Sequence, residues 1–75
     1  MSTRAEHIAW VKERALAELG PGGGGPTVAL ASTQSDLMGH PETANHDAIE
    51  LGMMLAMSGH LSTDAQMREW IDGIR

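Results

Sequence analysis

Seventy-five residues with no cysteine make one small domain that no disulfide can staple, and the lack of thiols fits a reducing compartment. Ten acidic against five basic side chains leave a formal net charge of −5, and residues 26–60 hold Asp36, Glu42, Asp47 and Glu50 with no Lys or Arg. Direct nucleic-acid binding, which needs a basic stripe, is therefore not expected. The longest apolar run, Ile49 to Met57, contains Glu50 and is too short to span a bilayer, while the charged N-terminus does not read as a signal peptide. A soluble, cytoplasmic protein is expected. So short a chain is poor in core, which makes a homodimer or a complex with a partner the natural supplement.

Thr3 with Glu6 matches the S/T-x-x-E capping box, so a first helix is predicted over about 4–19. Ala5, Ile8, Val11, Ala15, Leu16 and Leu19 share one of its faces. Trp10 points nearly opposite, beside Glu6, Glu13 and Ala17. It either lies over the edge of a neighbouring helix or, with Glu13, anchors a partner, since Trp is enriched at interface hot spots. Residues 20–26, GPGGGGP, form a flexible Gly/Pro connector that holds neither helix nor strand. A phosphate loop is disfavoured there, because no Lys-Ser/Thr follows and no strand precedes.

A second helix is expected over about 28–38, with Thr27 as N-cap and Leu30, Ala31, Gln34, Leu37 and Met38 on its inner side. Val28, Thr33 and two serines make it a weak intrinsic helix former that depends on packing. Pro41 and Glu42 suit the first turn of a third helix, predicted over about 42–58; a later start near Asn45 is the alternative. At about 100° per residue Ala44, Ala48, Gly52 and Ala56 make a ridge of small side chains that invites a close helix crossing. Ile49, Met53 and Met57 flank it on one side, Leu51 and Leu55 on the other. The stretch Ala44–Leu61 is accordingly expected to be the buried hub, with Met53 and Met57 in the core. His46, Asp47, Glu50, Met54 and Ser58 would meet solvent or a partner. Thr63 and Gln66 form a second capping box before a final helix over about 64–72, whose Met67, Trp70 and Ile71 share a face. With no strand candidate, the prediction is an all-α protein: a small, self-associating bundle of three to four helices.

Chemistry is sparsely signalled. If the third helix starts by Glu42, then Glu42, His46 and Glu50 fall at i, i+4 and i+8, a weak candidate set for a divalent metal. The plainer reading is a solvated face whose charges support the helix. No nucleophile–base pair stands out, so no enzyme and no cofactor are expected.

The run His40-Pro41-Glu42-Thr43, followed by His46, Ile49-Glu50-Leu51-Gly52-Met53-Met54-Leu55 and Gly59-His60-Leu61, resembles a family of very short proteins encoded by actinobacterial bacteriophages and prophages. So does the opening Thr3-Arg4-Ala5-Glu6-His7 with Lys12-Glu13-Arg14-Ala15. The resemblance covers most of the chain outside the glycine connector, where that family carries a short charged turn. It implies a phage-derived protein working in a bacterial cytoplasm and brings no catalytic residue with it. The leading expectation is an interaction module that binds and modulates a host protein through Trp10 and Glu13 or through Asp47, Glu50 and Met54. The alternatives are an acidic decoy occupying a nucleic-acid-binding site of a host enzyme, and a metal-binding helical module.

Overall fold

The computed structural model describes residues 3–75. Four helices follow in order, α1 (Arg4–Ala17), α2 (Pro26–Met38), α3 (Asp47–Met57) and α4 (Asp64–Asp72), and no strand occurs among the described residues. The protein is an all-α bundle.

α1 begins where Thr3 Oγ1 accepts the Glu6 N–H at 3.1 Å and Glu6 Oε1 accepts the Thr3 N–H at 3.0 Å. Two orphan donors of the first turn are thereby satisfied. The bonds from the Thr3 backbone and side chain hold the Glu6 carboxyl below its ordinary range, because they favour the charged form. The helix ends at Ala17, and Leu19 drops into the core from the turn that follows. The glycine segment connects α1 to α2 through a hydrogen-bonded turn wound onto the end of α1. Gly23 N–H donates to Gly20 O at 3.0 Å, Gly24 N–H to Glu18 Oε2 at 2.9 Å and Gly25 N–H to Glu18 O at 2.8 Å. A Cβ at Gly23 would collide with the Glu18 main chain, so the turn closes only with glycine there. Gly25, not Thr27, is the N-cap of α2, and Pro26 takes the first helical position, where its missing N–H costs nothing.

The hub of the fold is α2, not the Ala44–Leu61 stretch: it packs against α1, α3 and α4. Ala29, Thr33 and Leu37 are its buried residues, at four-residue spacing, and Thr33 Oγ1 donates to Ala29 O at 2.8 Å. This face is rotated from the expected one, leaving Ala31 and Met38 exposed. The core has two parts. One gathers Ala15, Leu19, Ala29, Leu61, Met67 and Ile71; the other gathers Ile8, Val11, Leu37, Ala48 and Ile74. Trp70 packs against both and joins them. Lys12 Nζ donates to Asp72 O at 3.1 Å and Ile74 O at 3.2 Å, tying the end of α4 to α1 with charge of the favourable sign for a helix C-terminus.

α3 starts at Asp47, later than either start read from the sequence. The reason lies in residues 40–43. Thr43 is buried, its N–H donates to His40 O at 3.0 Å and its hydroxyl to Leu37 O at 2.6 Å, which closes α2 and turns the chain outward. Ala44 consequently stands outside the helix and exposed, and Ala56 is exposed as well. The ridge of small residues is reduced to Ala48 and Gly52, both buried. α2 is the single helix whose backbone packs along α3, and at Gly52 the Trp70 side chain of α4 makes the closest approach. Met53 and Met57, expected in the core, are 53% and 86% exposed. An apolar arc wider than a stripe does not bury itself; it needs neighbours on every side, and α3 has only α2 and the Trp70 side chain.

Candidate interaction surface

α3 is fixed at its start by His46 and in its middle by Gln34. His46 Nδ1 accepts the Ala48 N–H at 2.9 Å, and Nε2 donates to the main-chain oxygen of Arg75 at 2.7 Å. These partners define the neutral tautomer with the proton on Nε2. Gln34, the polar interruption of the expected α2 stripe, donates from Nε2 to Ile49 O at 2.8 Å. Gly52 brings the α3 backbone against the Trp70 indole: a Cβ there would lie 2.7 Å from Trp70 Cζ2 and 3.2 Å from Gln34 Nε2.

The rest of α3 faces outward. Leu51, Met53, Met54 and Met57 are large apolar side chains that remain 48% to 86% exposed. Asp47 and Glu50 lie among them, also exposed. The sole ion pair among the described residues joins Arg14 Nε to Asp36 Oδ2 at 2.8 Å, so neither α3 carboxylate has an ion-pair partner among them. Large apolar side chains exposed together on one helix, interspersed with charge, make this a candidate binding face.

Beside this face runs a groove between α3 and α4. Two open depressions of about 450 and 410 Å³ lie end to end along it and share Glu69 and Trp70. Leu51 and Leu55 line its α3 wall, and Leu61 and Ile74 are reached at its two ends. Trp70 and this groove are what sequence reasoning missed. The signal was present in the excess of large apolar residues on α3, more than a single neighbouring helix can cover.

Trp10 and Glu13 stand elsewhere. They are on α1, which does not pack on α3, so the two expected faces form separate surfaces. Trp10 is 45% exposed, but its ring stacks on His7 at 5.4 Å and the Arg14 guanidinium sits 4.7 Å from its centroid. His7 stacks in turn on His40 at 4.4 Å and donates from Nε2 to Asp36 O at 2.9 Å. The indole is thus engaged within its own chain. The Glu42, His46 and Glu50 set depended on a continuous helix from Glu42, and residues 42–45 are a turn. Both ring nitrogens of His46 are occupied, and no group of three metal-ligating side chains occurs among the described residues. Among the described residues no helix is long and apolar enough to cross a membrane. Comparison with protein-family models, with curated proteins and with solved structures gives no match.

Proposed function

We propose that this chain is a small helical interaction module that binds another protein through the outward face of α3 and modulates it. The observation that carries the reading is the display of Leu51, Met53, Met54 and Met57 on an eleven-residue helix whose carboxylates have no ion-pair partner among the described residues. Methionine suits such a face, because its flexible thioether adapts to a partner's contours. The resemblance of the His40–Thr43 and Ile49–Leu55 runs to short phage-encoded proteins supports a bacterial host protein as the partner. The acidic rim, with Asp47 and Glu50, favours a basic contact surface on it.

Capture from an actinobacterial lysate tests this. The wild-type chain should retain a host protein that Met54→Asp and Glu50→Lys lose, while Trp10→Ala keeps it. Retention by Met54→Asp would refute the α3 reading. Release of the captured protein by competing DNA would favour the acidic-decoy alternative instead. Sedimentation across a concentration series tests self-association through the same face.

A further inference from the structure

We infer that the groove between α3 and α4 is a seat for a third helix, and that its occupant is an amphipathic helical segment carrying Lys or Arg beside its apolar stripe. This inference rests on the interaction reading above and specifies the partner's chemistry. The floor is apolar, with Leu51, Leu55 and Trp70 along it, and the depressions at its two ends meet at Trp70. Both walls are helices. An extended peptide laid between them would find no free backbone donors or acceptors, because helices satisfy their own, whereas a helical segment brings its hydrogen bonds with it. Packed helices sit about 8–10 Å apart, and α3 with its eleven residues offers a wall of about 16 Å, room for roughly three turns.

Charge selects among helices. Asp47 lines one end of the groove and Glu69 its middle, both exposed and without an ion-pair partner among the described residues. Arg75 is the one cationic residue lining it. A second copy of this chain is a poor occupant. Its outward apolar helix is α3, which would carry Asp47 and Glu50 onto Asp47 and Glu69 of the first. A cationic segment meets those carboxylates with opposite charge and its leucines with Trp70.

The test uses Trp70 as reporter in a Trp10→Phe chain, titrated at physiological salt with three twelve-residue peptides. One has leucines at i, i+3, i+4 and i+7 with lysines elsewhere; the second replaces the lysines with glutamates; the third keeps the lysines and replaces the leucines with serines. The leucine–lysine peptide should shift Trp70 emission to the blue and saturate, with at least tenfold weaker binding for each of the others. Asp47→Lys with Glu69→Lys should weaken the first peptide tenfold or more while leaving the thermal melt within a few degrees. Equal binding of the glutamate or the serine peptide, or no response of Trp70, would overturn the inference. So would a Trp70 shift that tracks protein concentration alone, which would make a second copy the occupant. A host protein captured by the wild type, lost on Met54→Asp and kept by Glu69→Lys alone would preserve the α3 reading and remove the groove.

Discussion

Gly52→Ala is the substitution that most directly probes how α3 is attached. In an exposed helix interior the change would add about 1 kcal/mol of stability through helix propensity. Here the new Cβ would lie 2.7 Å from Trp70 Cζ2, 3.0 Å from Cη2 and 3.2 Å from Gln34 Nε2. The indole packs against both parts of the core, so retreating from the new Cβ would disturb those contacts. Overpacking of this kind costs about 1–3 kcal/mol. Displacing Gln34 from Ile49 O would cost about 1 kcal/mol more. The net expectation is destabilisation by about 1–3 kcal/mol, which in a domain of this size lowers Tm by roughly 4–24 °C. Thermal circular dichroism reads the loss, and Trp70 emission in a Trp10→Phe background should change with it. Trp70→Phe removes the two clashing ring atoms, so the double variant should recover part of the deficit in a mutant cycle. A higher Tm for Gly52→Ala, with Trp70 emission unchanged, would refute the close approach and with it the account of why glycine stands there.

Three further outcomes follow from the same contacts. Thr43→Val removes a buried donor and leaves Leu37 O unpaired, so a loss of about 1–3 kcal/mol is expected by chemical denaturation, with α1 helicity retained in the native state. Because the Thr3 bonds depress the Glu6 carboxyl, their contribution is fully present above the ordinary value of 4.5 and is lost as pH falls through the lower folded value. Amide exchange at the first turn of α1 should therefore accelerate in strong acid, and Glu6→Gln, which can keep the cap, should flatten that dependence. Mild peroxide should convert Met57 and Met54 to sulfoxides well before the fully buried Met67, as read by peptide mass spectrometry, and the oxidised chain should lose partner capture.

Much of the architecture was legible in the sequence. The boxes Thr3–Glu6 and Thr63–Gln66 announce two helix starts because their reciprocal bonds are local, and the lack of strand patterning gives the all-α class. What stayed hidden was longer in range. Gly25 and Pro26 begin α2 because the glycine turn folds back on Glu18, a contact no periodicity encodes. Thr43 delays α3 by reaching back to Leu37, so a run that reads as helix from Glu42 does not form one. The misplaced hub has the same origin. Hydrophobicity around the whole of α3 is compatible with burial from all sides and with a face left open, and only the positions of α2 and α4 decide between them. The expected face with Asp47, Glu50 and Met54 was drawn from the wheel alone. The wheel did not foresee that Leu51, Met53 and Met57 would stay exposed with it.

Trp70 joins the two halves of the core while its indole also floors the cleft beside α3. The interior is therefore complete without the outer rows of α3, and those rows answer to no internal neighbour. Exchanging residues 51, 53, 54 and 57 as a block should therefore leave the fold standing, provided position 52 keeps its hydrogen side chain. Evolution, or an engineer, would find here a helix whose outer rows vary independently of its folding.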